Sequence, residues 1–114
     1  MANTFLNATN VGVTTQATVY EAPAGETSIV LELDIANTSA AAVTVSAKVY
    51  DKTASVAAGT AVFAHIVKDA PVPVGASLQV VSGQKIILEA GDYICVVASG
   101  TCDVICSILE DVNS

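Results

Sequence analysis

Cys95, Cys102 and Cys106 carry the most reactive side chains in this sequence, and their spacing is C-x6-C-x3-C. A structural zinc site needs a close C-x2-C pair or a cysteine-histidine set, because four ligands must converge on one ion. Neither occurs: there is no C-x2-C, and the only histidine, His65, stands far upstream. If Ser99-Gly100 closes a two-residue hairpin, Val97 pairs with Cys102 and Cys95 with Val104. The three thiols then share one apolar face with Val97, Val104 and Ile108. A cysteine in such surroundings behaves as a small hydrophobe, and the odd count argues against a disulfide framework. Three free, buried thiols are expected, ahead of a disulfide or a metal site.

His65 lies between Ala64 and Ile66, with Phe63 and Val67 on its own parity. A general base needs a nucleophile or an orienting carboxylate beside it. The nearest acid, Asp69, is four residues away at a turn, so His65 reads as a strand or interface residue. The carboxylates are scattered: Glu32 and Asp34 share a face, Glu89 and Asp92 bracket a turn, and Glu110-Asp111 lies near the C-terminus. An acid pair for glycoside hydrolysis would need a cleft lined by sugar-stacking aromatics. This chain has no Trp and only three Tyr, of which Tyr20 and Tyr50 are read as pointing outwards. No DxDxDG loop is present to hold calcium, and neither GxGxxG nor GxxxxGK[ST] to hold phosphate. Asn7-Ala8-Thr9 and Asn37-Thr38-Ser39 match the glycosylation triplet, a pattern frequent by chance and without meaning unless the chain is secreted. No catalytic, cofactor-binding or metal-binding set emerges.

The elements that position these residues alternate with period two, the mark of half-buried strands. Val11, Val13, Ala17 and Val19 share one parity and predict a first strand, closed by the turn-forming Glu21-Ala22-Pro23-Ala24-Gly25. Ile29, Leu31, Leu33 and Ile35 then face one way and Glu32 and Asp34 the other. Val43, Val45, Ala47 and Val49 repeat the pattern after Asn37-Thr38-Ser39, which predicts a hairpin with Glu32 opposite Lys48. Residues 51–59 show no period and read as a long loop, while residues 61–67 are apolar on both faces and read as a central or covered strand. Pro71, Pro73 and Gly75 lead into Leu78 and Val80; Ser82-Gly83 breaks that run, Ile86 and Leu88 resume it, and Glu89-Ala90-Gly91-Asp92 turns the chain into residues 93–98. Residues 101–109 supply the last strand. Without a helical period, the pattern predicts an all-β fold: an antiparallel β-sandwich of seven to eight strands, Ig-like or jelly-roll. Residues 1–10 form an N-terminal arm and residues 11–114 a single sandwich domain.

At 114 residues the chain suits one domain. It is 53% hydrophobic and 13% charged, more apolar than a lone domain covers comfortably, which points to association with copies of itself or with a larger surface. Eleven acids against four lysines and no arginine give a net charge of −7. Nucleic-acid binding draws on cations that neutralise phosphates, so no nucleic-acid partner is expected, nor an anionic membrane surface. The start, MANTFLNATN, lacks the basic and apolar segments of a signal peptide.

Residues 70–97, APVPVGASLQVVSGQKIILEAGDYICVV, carry a family resemblance. A proline-glycine turn followed by SLQVV, a short break, KIILEAGD and another strand resembles a family of small bacteriophage virion structural proteins, common in phages of cyanobacteria and other aquatic bacteria. The similarity extends through Thr18-Val19-Tyr20, Ser28–Asn37 and Ile66-Val67-Lys68. It implies a non-enzymatic virion component folded in the host cytoplasm, first of all a capsid decoration (cement) protein bound to the major capsid protein. A neck, tail or fibre component is the alternative, and a small carbohydrate-binding module or adhesin the third reading. Decoration proteins commonly occupy three-fold positions on icosahedral shells, so the implied homo-oligomer is a trimer. The expected contact residues are Phe5 and Leu6 in the arm, Val56 in the 51–59 loop, and Phe63 and His65 in the following strand.

Overall fold

The computed structural model describes residues 4–110, apart from the side chains of residues 83 and 84. The elements run β1 (Thr4–Val13), β2 (Gln16–Glu21), β3 (Ser28–Asn37), β4 (Val43–Tyr50), α1 (Lys52–Ala58), β5 (Phe63–Val72), β6 (Ser77–Leu88), β7 (Tyr93–Ala98) and β8 (Cys102–Glu110). They form two four-stranded antiparallel sheets, ordered β1-β8-β3-β6 and β2-β7-β4-β5. Two Greek keys of eight strands in this order make a jelly roll, and the all-β sandwich is the fold.

Only β4 and β5, among consecutive strands, are ladder partners; every other connection passes from one sheet to the other. Both hairpins expected from the sequence are therefore corrected. β3 pairs with β6 and β8, with Glu32 opposite Ser82 and Ser107, while Lys48 lies opposite His65 and Cys95 in the other sheet. Likewise β7 and β8 lie in different sheets, so Cys95 and Cys102 do not share a hairpin. The link between them hugs the sandwich: a side chain at Gly100 would meet Val43 Cγ1 at 2.6 Å, and Ser99 exchanges hydrogen bonds with the backbone of Thr44.

Three local readings also change. β1 begins at Thr4 and pairs along β8 from Thr4–Glu110 to Val13–Cys102, so the boundary drawn between residues 10 and 11 falls inside a strand. Residues 51–59 hold a helix rather than a loop. The Asp51 carboxylate accepts the Ala54 N–H at 3.0 Å, and Gly59, at φ +74°, donates its N–H to Ser55 O at 2.9 Å. Both are ordinary caps that give a short alanine-rich segment its ends. β5 is the outer strand of its sheet, not a central one. There Asp69 adopts a left-handed φ of 52° where the β4–β5 register slips, and its N–H bonds to Ser46 Oγ at 2.9 Å. A bulge of this kind disturbs the regular edge on which another strand would template.

The core lies between the sheets and is made of branched aliphatics, with Val30, Leu33, Ile35, Val81, Leu88, Ile94, Val96 and Ile108 fully buried. Leu31 is not among them. A bulge between Val30 and Glu32, present in both ladders of β3, sends Val30 inward and leaves Leu31 half-buried. The strict alternation read over Ile29–Leu31–Leu33–Ile35 therefore breaks at residue 31. β6 continues as one strand past Ser82-Gly83, but its register with β3 shifts there, between the Glu32–Ser82 and Val30–Ile86 pairs. Asp111 lies outside the described residues.

Candidate functional surfaces

No aromatic ring sits among the fully buried side chains. Three of the five aromatics gather instead on the outer face of the β2-β7-β4-β5 sheet. Register places Glu21, Tyr93, Tyr50 and Phe63 in one row across its four strands. Tyr50 stacks on Tyr93 with ring centres 4.6 Å apart, and Phe63 meets Tyr50 edge-on at 5.5 Å. The next row is Thr18, Cys95, Lys48 and His65. Lys48 Nζ lies 4.5 Å from the centre of the Phe63 ring, an attraction between cation and ring face. Burial raises the Tyr93 phenol, with smaller contributions from the neighbouring Cys95 and Tyr50.

The opposite sheet presents an apolar row. Phe5 faces Leu109, Leu109 faces Ile29, and Ile29 faces Ile87. Phe5 is 75% exposed and Ile87 58%. Leu31, displaced by the bulge, joins Phe5 around a hollow of about 240 Å³. The next row is polar, with Asn7, Ser107, Glu32 and Ser82 in register and Ser107 Oγ donating to Asn7 Oδ1 at 2.9 Å. Asp34 follows on the same strand. Burial raises its carboxyl pKa first, and Glu32 beside it raises it further by charge and by a shared hydrogen bond.

Both rows lie at the same end of the sandwich. Tyr20, at the close of β2, bonds across to the other sheet there: its hydroxyl lies 2.9 Å from Ser28 Oγ and donates to the Glu110 carboxylate. Burial and the Glu110 hydrogen bond both push this phenol upward. Tyr20 is thus an inter-sheet tie rather than an outward-facing ring.

The expected contact residues separate on this framework. Phe5 belongs to the apolar row of the first sheet, whereas Leu6 turns inward and packs on the core. Phe63 and His65 come together on the aromatic face, and His65 is exposed. Val56 projects from α1 and is 72% exposed. Tyr50 and Tyr93 were not expected to form one cluster, and no local signal shows it, because they lie on neighbouring strands that are distant in sequence.

The thiols sit in two places. Cys102 and Cys106 belong to the core cluster, while Cys95 is fully buried under the aromatic face beside Lys48. All three are free. Burial raises every one: Cys106 to about 12 with help from Asp34, Cys102 with help from Asp103, and Cys95 against the opposing pull of Lys48. Because the thiolate is the reactive form, all three are expected to resist a thiol reagent in native protein at neutral pH. Three equivalents should appear after denaturation without reductant. Fast labelling of the native chain, or fewer than three equivalents afterwards, would contradict this.

Among the described residues, no three His, Cys, Asp or Glu side chains are placed to hold a metal, and no helix is long and apolar enough to cross a membrane. What the molecule offers is two structured faces on a jelly-roll frame: an apolar row flanked by Glu32 and Asp34, and an aromatic row with Glu21 at its end and Lys48 and His65 beside it.

No family model matches this chain, and no curated protein sequence matches it. Among solved structures, it is similar to a chain of the T13 viral particle of infectious bursal disease virus, with 12% identity and a TM-score of 0.55. That match covers 95% of this chain and 30% of the viral one, so this chain spans under a third of its length. It is also similar to a pentameric capsid protein isolated from metagenomic phage sequences, at 15% identity and a TM-score of 0.44, over 90% of this chain and 59% of that one. At 12% identity the likeness to the viral particle chain is one of fold.

Proposed function

We propose that this protein is a non-enzymatic structural component of a bacteriophage particle, a capsid decoration protein that binds the major capsid protein and reinforces the shell as a homo-trimer. The observation that carries the reading is the apolar row running across all four strands of one sheet, Phe5–Leu109–Ile29–Ile87, exposed at Phe5 and Ile87 and half-buried between them. A row of this kind suits persistent contact, since an interface centres on apolar side chains ringed by polar ones. The jelly-roll frame, which the infectious bursal disease virus particle chain shares, and the resemblance of residues 70–97 to phage virion proteins support the same reading.

The test is electron microscopy of particles of the encoding phage, with and without added protein, together with the temperature at which they release their genome. Density repeating regularly over the shell, and a higher release temperature, are expected. Phe5→Ser, which changes an exposed residue, should lower occupancy while the chain stays folded. Deleting residues 1–10 is a poorer probe, because it removes most of β1. Density confined to the neck, tail or fibres would replace this reading with the alternative one, and no bound density at all would reject both.

A further inference from the structure

The two outer faces of the sandwich carry complementary charges in the row next to each apolar row, with Glu21 at the end of the aromatic row and Asp69 beside Lys68 as acids on the second face. On the β1-β8-β3-β6 sheet, the apolar row is followed by Glu32 and then Asp34, with Asp103 further along. On the β2-β7-β4-β5 sheet, the aromatic row is followed by Lys48 and His65, and Lys68 stands further along β5. Both apolar rows lie at the end tied by Tyr20, Ser28 and Glu110. A second copy moved across the sandwich therefore meets the first with apolar row on apolar row and Glu32 beside Lys48. In a single chain these two side chains are on opposite surfaces and never meet.

We infer that copies of this chain associate head to tail, the β1-β8-β3-β6 face of one copy docking on the β2-β7-β4-β5 face of the next, with Glu32 and Lys48 as intermolecular partners. This rests on the reading of the protein as an assembly component and names the faces that assemble. Such a contact is heterologous, so it closes into a ring when each step includes a rotation and never forms a two-fold dimer. Charge complementarity of this kind selects orientation and partner more than it supplies raw affinity, and like charges brought together are strongly unfavourable. The apolar rows supply the affinity.

The test is sedimentation of the full-length protein over a concentration series. Wild type should form species of more than two chains. Glu32→Lys and Lys48→Glu, each alone, should raise the dissociation constant about tenfold or more. The double variant Glu32→Lys/Lys48→Glu should recover assembly, since every head-to-tail contact between its copies is again between opposite charges. Melting curves should show that all these variants fold. Ile87→Ser, at a site 58% exposed, should weaken assembly independently through the apolar row. A wild type monomeric throughout, single variants that assemble normally, or a double variant that fails to recover would each overturn the inference. The measurement uses the isolated chain, so it can fail while attachment to particles holds, and succeed while attachment fails.

Discussion

Val30→Asp is expected to unfold the protein, and Leu31→Asp to leave it folded. Val30 is fully buried between the sheets, and a carboxylate there has neither water nor a partner. Burying an unpaired charge costs more than about 4 kcal/mol, against a total stability of roughly 5–15 kcal/mol for a domain of this kind. Leu31 is half-buried on the outer surface, where the bulge leaves it outside both β3 ladders. An aspartate there keeps its hydration and should cost about 1 kcal/mol in lost apolar contact. Urea denaturation followed by circular dichroism separates the two. The reverse ranking, which strict alternation from Ile29 to Ile35 demands, would show that the bulge is not there.

The second large effect belongs to Asn37, where β3 leaves its sheet for the other. Asn37 is buried, and its amide fills all its valences: Nδ2 donates to Ala41 O at 2.9 Å and Val72 O at 3.0 Å, and Oδ1 accepts from Ser39 N at 2.9 Å and Ser39 Oγ at 2.7 Å. One side chain thus holds the β3–β4 crossing against the end of β5. Asn37→Ala strands the Val72 carbonyl in a buried site and releases the crossing, a loss of about 2–3 kcal/mol. For a domain of about this size that lowers the melting temperature by roughly 10–15 °C. Asn37→Asp, which keeps the acceptor and loses both donors, should also melt lower. Unchanged melting for both would remove Asn37 from any structural role. The same burial makes Asn37 a poor glycan acceptor, whatever its triplet suggests.

The strands were largely legible and their partners were not. Alternation identifies which residues of a strand share a face, and from Val43 to Val49 it did so correctly. It is silent on which sheet a strand joins, and in a jelly roll neighbours in sequence usually part company. That is why Glu32 and Lys48, matched in charge and spacing, were placed opposite each other in a hairpin that does not form. The helix was legible from Asp51 and Gly59, two cap residues around an alanine-rich segment, but its lack of an apolar stripe hid it. Leu6 could have been excluded as a surface residue once residues 4–13 were read as a strand, since adjacent residues there cannot both face out. The aromatic cluster was beyond reach, because Tyr50, Phe63 and Tyr93 meet only through the ladders of β4 with β5 and β7.

The pairing of β1 with β8 also governs the order in which the molecule comes into being. Thr4 finds its partner in Glu110, so β1 must wait during synthesis for β8 before its edge is filled. At about 5–20 residues per second, that wait lasts roughly 5–20 s. β3 waits for β8 too, though for less time, with only β6 arriving earlier to cover its other edge. Through this interval Phe5, Leu6 and the branched aliphatics of β3 are exposed on unpaired strands, in a cell where many copies are made at once. Closing contacts of such long sequence separation is slow even after synthesis ends. The yield of this protein should therefore depend on expression rate and temperature more steeply than its final stability would suggest, with slow, cool synthesis favouring the closed sandwich over strand exchange between nascent neighbours.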